Sequence, residues 1–110
     1  MKTIKAQPNK RKASAKKLAR EIYGGEKYEY YPLGKYVVAA PGVCGGRPTF
    51  KYTRLEVSFI LALLATGKSI EQVVQAYSLS RITPEAIQEA ISLADQALLR
   101  SAKRRQLAAA

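Results

Sequence analysis

Residues 43–54 read VCGGRPTFKYTR, running from Val43 and Cys44 through Gly45, Gly46, Arg47 and Pro48 to Thr53 and Arg54. One cysteine, two glycines, one proline and three basic residues share this short stretch. It reads either as a ligand-holding loop or as the joint through which the chain enters a helical domain. The segments on its two sides favour the joint.

Upstream, Tyr28, Tyr30, Tyr31, Tyr36, Val37 and Val38 are residues that favour strands, and Pro32-Leu33-Gly34 punctuates them as a turn. The pattern predicts a small hairpin with strands near 28–31 and 35–39, and a short extended piece near 49–51. Two strands alone are marginal, so the pair must pack on helices or on another subunit. Downstream, Val57, Ile60, Leu61 and Leu64 follow helical spacing over 56–66, and Phe59 and Leu63 widen the stripe. Gly67 ends that helix. Ser69 and Gln72 have capping-box spacing and open a short second helix ending near 77, with Ile70, Val73, Val74 and Tyr77 on its apolar face. Thr83 and Pro84 suit the N-cap and first position of a third helix, and Ile82 is placed to staple onto Ile87. Its expected buried face is Ile87, Ala90, Ile91, Ala94 and Leu98, with the helix continuing through the basic residues 100–105. Three helices on short turns are compatible with a helix-turn-helix.

A chain of 110 residues with 47% hydrophobic content fits one small domain, for which dimerisation is plausible. The net charge of +11 is unevenly placed. Residues 1–20 hold eight Lys/Arg and no acid, residues 100–110 hold four and no acid, and residues 21–99 hold seven bases against eight acids. The basicity therefore belongs to the ends. Candidate nucleic-acid contacts are Lys10, Arg11, Lys12, Lys16, Lys17 and Arg20 at one end and Lys103, Arg104 and Arg105 at the other. Composition predicts disorder over residues 1–13, and the spacing of Ala15, Leu18, Ala19 and Ile22 predicts a short helix over 14–23, stopped by Gly24-Gly25. A single cysteine, no apolar run of spanning length and no secretory core after the basic N-terminus point to a cytoplasmic setting.

The chain has no histidine, which removes Ser-His and Cys-His catalytic pairs and histidine metal sites. Cys44 stands alone and reads as a small buried residue beside a turn. Neither GxxxxGK[ST] nor GxGxxG surrounds Gly45-Gly46. Glu85 and Glu89 share a helix face with no further ligand, so a solvated face is expected. Arg47 and Arg54 either bond backbone carbonyls and lock the entry to the first helix or reach a phosphate or a partner's carboxylate, and locking is the expected role. Lys51 is expected to face solvent. A reading helix would present Glu85, Gln88, Glu89, Ser92 and Asp95, an acidic surface that repels phosphate. Tyr28, Tyr30 and Tyr31 suit base stacking or one aromatic face of a core hairpin equally well. No catalytic, cofactor or metal residue emerges, and no enzyme activity is expected.

Val43–Pro48, Thr53–Val57, Gly67–Glu71 and Ile82–Glu85 resemble the DUF433 family, whose pattern is a strand, a segment like CGGRPxIxGTRIxV, an apolar helix, a G-x-S-x-E-E turn and a last helix opening LT-x-E. The resemblance covers about residues 28–99. It implies a homeodomain-like three-helix fold with a small strand element, an antitoxin-like role beside PIN-like toxin nucleases, and signature positions at Gly46, Arg47, Pro48, Thr53 and Arg54. Tyr52 stands where the family usually has glycine, which predicts strain if that position needs positive φ.

The expected fold is therefore mainly α: a homeodomain-like, helix-turn-helix-like three-helix bundle with a small β-hairpin before it. Residues 1–27 form a basic arm, 28–99 the domain, and 100–110 a basic extension of the last helix. The expected function is non-catalytic and antitoxin-like, with a homodimer, joined through the strands or through an exposed apolar part of helix 56–66, binding a partner toxin nuclease and its own operator DNA. The alternatives are nucleic-acid binding through the basic arms, or a structural or assembly role.

Overall fold

The computed structural model of the chain describes residues 17–109. The disorder expected over 1–13, the first part of the helix expected over 14–23, and Lys10, Arg11, Lys12 and Lys16 lie outside the described residues.

The fold mixes a sheet with helices, and this corrects the expected helical bundle with a hairpin. Strands β1 (Ala19–Tyr23), β2 (Glu26–Pro32), β3 (Val37–Ala39) and β4 (Pro48–Phe50) form one antiparallel sheet in sequential order. Three helices follow: α1 (Val57–Ala65), α2 (Ile70–Ala76) and α3 (Pro84–Ala109).

The largest correction is β1. Residues 19–23, expected as the end of a helix, pair with β2 in the register Ala19↔Tyr30 to Tyr23↔Glu26. Gly24 and Gly25 take φ of 61° and 81°. Two consecutive positive-φ residues suit the tight hairpin turn that matches strand twist, so this glycine pair connects strands where a helix stop was expected. The expected hairpin at 28–31 and 35–39 is present as β2 and β3, with Tyr31↔Ala39 and Pro32↔Val38 in register. The extended piece near 49–51 is β4, paired Val37↔Phe50 and Val38↔Thr49.

The helical half follows its local signals. Ser69 and Gln72 form a reciprocal capping box at α2, with bonds of 3.0 and 2.8 Å. The Thr83 hydroxyl accepts the Ala86 amide at 3.1 Å, with Pro84 at the first helical position. Ile82 and Ile87 are both buried in the main core. That core joins Val37 and Phe50 of the sheet to Val57, Ile60, Val73, Ala86, Ile87 and Ala90 of the helices. The buried face of α3 is thus Ala86, Ile87 and Ala90, with Leu93 packed against it. Ile91, Ala94 and Leu98, expected to be buried, are exposed, Ile91 and Leu98 to 39% and 68%. At 1.5 Å per residue α3 is about 39 Å long. The helices and sheet cover only its first half.

Candidate functional site

The signature residues form a clasp between the sheet and α1. After β3 the chain turns through Cys44, Gly45 and Gly46, at φ of 49°, 65° and 84°. This reversal brings Arg47 beside Glu56, the residue that precedes α1. The guanidinium donates two bonds of 3.0 Å to the two carboxylate oxygens. The pairing holds the Arg47 pKa above its ordinary value and that of Glu56 below it. Thr53 closes the other side: its hydroxyl donates to the Phe50 carbonyl at 2.8 Å and accepts the Leu55 amide at 3.0 Å. The Cys44 thiol donates to the Arg54 carbonyl at 3.3 Å. The side chains of Arg47 and Thr53 thus serve the joint, Arg47 through the Glu56 carboxylate where bonds to backbone carbonyls were expected. Arg54 offers its backbone to the clasp, while its side chain is exposed.

Beyond the clasp lies a tyrosine network that the sequence did not announce. Glu21 on β1 accepts hydrogen bonds from the hydroxyls of Tyr30 and Tyr52, the latter at 2.6 Å, and pairs with the Lys51 ammonium at 3.3 Å. The bonds from Tyr30 and Tyr52, with help from Lys51, hold the Glu21 pKa at about 2 against the opposing effect of burial. Burial works against the charge on Lys51. Its bonds to Tyr30, Glu21 and Tyr52 together overcome that effect, so its pKa is raised. Lys51 also lies over the Tyr30 and Tyr52 rings, at 4.8 and 5.0 Å from their centroids. It is therefore half-buried and paired, a correction to the solvent-facing lysine expected here. Tyr52 does take positive φ, at 68°. Its amide donates to the Tyr28 hydroxyl at 3.0 Å, and its ring stacks on Tyr23 at 4.3 Å between centroids.

Glu89 requires a second correction. Its carboxylate accepts the backbone amides of Lys35, Tyr36 and Val37 at 2.8, 2.7 and 3.1 Å. It ties the β2–β3 turn to α3, where a solvated face was expected. A Cβ added at Gly34 would meet the Glu89 carboxyl carbon at 2.6 Å, so a side chain there would push the carboxylate off its three amides. Glu85 does remain exposed.

Three of the concave surfaces bear on function. The first is an apolar groove of about 360 Å³ between α1 and α3, lined by Leu33, Val37, Leu61, Leu93 and Ala97 and ending at Arg100. The second is a basic cleft of about 730 Å³ between the clasp and the α2–α3 turn, holding Tyr23, Lys51, Tyr52, Arg54, Ser80 and Arg81. A neighbouring hollow of about 410 Å³ shares Lys51, Tyr52, Ser80 and Arg81 and adds Lys35 and Thr83. No acidic residue lines either of these basic hollows. Among the described residues no group of three His, Cys, Asp or Glu side chains is placed to hold a metal, and no helix is long and apolar enough to cross a membrane.

Among the described residues, the expected nucleic-acid contacts sit on separate elements. Lys17 is exposed before β1, Arg20 pairs with Glu29 at 2.9 Å, and Lys103, Arg104 and Arg105 are exposed near the end of α3. Arg81 was absent from that set. A lone arginine in a turn carries no local signal, and only the fold sets it beside Arg54. A family model described as "Protein of unknown function (DUF433)" matches residues 37–94, just over half of the chain. The match runs from β3 through the clasp and the first two helices to the middle of α3. No curated protein and no solved structure matches.

Proposed function

The chain belongs to the DUF433 family, and we propose that it acts as a non-catalytic, antitoxin-like binding protein that occludes a partner nuclease. The observation that carries this reading is the apolar groove between α1 and α3, with the basic end of α3 beside it. Nucleases that hold metal ions do so with clustered carboxylates. Arg100, Lys103, Arg104 and Arg105 are the chemistry that neutralises such a cluster, while Leu33, Leu61 and Leu93 seat an apolar segment of the same partner. The clasp supports the reading, because Arg47 and Thr53 are spent on holding strand to helix.

Ile91 and Leu98 lie about a third of a turn around α3 from the groove, an exposed apolar stripe that supports pairing with a second copy of the chain. Operator DNA is assigned to the basic ends, because the exposed face of α3 carries Glu85 and Asp95.

The test is co-expression with a PIN-like nuclease encoded beside the gene. The expected outcome is a stable complex in which RNA cleavage is suppressed, with both properties lost in Leu61→Asp and Leu93→Asp proteins that still melt cooperatively. Uninhibited cleavage with folded wild-type protein present would sink the reading.

A further inference from the structure

We propose that the basic cleft between the clasp and the α2–α3 turn binds single-stranded nucleic acid, with phosphates on Arg54 and Arg81 and a base stacked on the Tyr23–Tyr52 pair. This goes beyond the nuclease-masking reading and requires no partner protein.

Charge segregation is the first support. Residues 21–99 hold seven bases and eight acids, a balance that argues against a positive face on the core. The fold nevertheless gathers Lys35, Lys51, Arg54 and Arg81 around two adjoining hollows with no carboxylate in their walls. Lys51 is committed to Glu21 at 3.3 Å. Lys35, Arg54 and Arg81 make no ion pair among the described residues and are exposed. Arg54, Tyr23 and Tyr52 also border a hollow that holds Glu26 and Glu29, so the phosphate-binding side is the one shared with Arg81, where two guanidinium groups face no carboxylate in the walls.

The aromatic wall is the second support. Tyr23 and Tyr52 stack at 4.3 Å with 15° between their planes, and they remain 51% and 39% exposed. Exposed, nearly parallel rings beside cations form the platform on which single-stranded bases stack. A duplex keeps its bases stacked on one another and cannot use such a platform.

The third support is backbone strain. Three non-glycine residues take positive φ among the described residues, and two of them, Tyr52 at 68° and Arg81 at 58°, line this cleft. Each holds an L side chain in a conformation that glycine would adopt freely, and such positions concentrate at functional sites.

The experiment uses the full chain and labelled oligothymidylate and oligouridylate of about ten nucleotides, within the site size of a single small domain. The readout is anisotropy as a function of salt. The chain contains seven tyrosines and no tryptophan, so base stacking is read in parallel as quenching of tyrosine emission. Binding is expected to both oligonucleotides, with tyrosine quenching. Tyr23→Leu should weaken it about tenfold. The Arg54→Gln/Arg81→Asn double variant leaves the arms intact and keeps a residue tolerant of positive φ at 81. It should lower the slope of log K against log salt by about 1.4, the value for two phosphate contacts on a single strand. Melting curves confirm that the variants fold. An arm variant, Lys103→Ala/Arg104→Ala, should leave the quenching intact. The proposal is overturned by a duplex of equal length binding as tightly as the single strand, by binding that follows the arm variant and ignores the cleft variants, or by no binding at low salt.

Discussion

Val37 and Val38 are neighbours in β3, and they enter two different interiors. Val37 belongs to the main core, where Phe50, Ile60, Val73 and Ile87 surround it with hydrocarbon. Val38, on the opposite face of the sheet, packs with Tyr30 and Ala40, flanked by Ala19, Tyr28 and Val43. Strand geometry sends successive side chains to opposite faces, so a single peptide step separates the two environments. The helical face coheres mainly by apolar burial, which is indifferent to pH, with the Glu89 carboxylate fastening its edge to the β2–β3 turn. The tyrosine face depends on hydroxyls and an ammonium converging on the single carboxylate of Glu21. One sheet is thus held on its two sides by forces that respond to different variables.

The comparison is tested most severely on the helical face. Ile60→Ala and Ile87→Ala should each destabilise by about 2–5 kcal/mol in denaturant titrations, because both side chains are fully buried and nothing can collapse into the void. Glu89→Ala comes next, at about 1–3 kcal/mol by the same measurement, since it strips one acceptor from three backbone amides. Thr49 sharpens the contrast from the other side. It faces the Val38 interior, is fully buried, and its hydroxyl has no hydrogen-bond partner among the described residues. Thr49→Val should therefore stabilise the fold by about 1 kcal/mol, and a loss of stability would mean that this face needs the hydroxyl.

The smallest effect is the pH response. The Glu21 pKa is about 2 in the folded chain and near 4.5 without its partners. A depressed carboxylate contributes stability that is present above the unfolded value and is lost as pH falls toward the folded one. Melting temperatures of the wild type should therefore fall between about pH 4.5 and 2 more steeply than those of Glu21→Gln. The difference should shrink at high salt, because the carboxylate is one-third exposed. Equal slopes for the two proteins would remove Glu21 from the account.

What could be read from sequence divides along the same line. The Ser69 capping box, the Thr83-Pro84 start and the stripe of α1 were legible because each is written within a few residues. The strand at 19–23 was not, since Ala19 and Ile22 also fit a helical face and only pairing with β2 decides against it. Tyr30, Tyr52 and Lys51 converge on Glu21 from 9 to 31 positions away, a distance at which no local pattern operates. The clasp was half legible: Arg47 read as a lock, but its partner Glu56 carried no sign of that role. The resemblance marked Tyr52 only conditionally, as strained if a family glycine there meant positive φ, and the backbone does take that conformation with tyrosine in place. The exposed Ile91 and Leu98 show the converse limit, since periodicity marks a face and cannot say whether the molecule reaches far enough to cover it.

Glu89 has a consequence for how the chain assembles. Its three amide donors lie 52 to 54 residues earlier, so the bond set closes one of the longest loops in the molecule. Loop closure on that scale is slow to find and is rewarded only once α3 has docked. Until then the amides of the turn at 35–37 are left to water, and the hairpin and the helix complete one another. The two halves therefore form a single cooperative unit. In hydrogen exchange the amides of Tyr36 and Val37 should open together with α3, at the free energy of global unfolding.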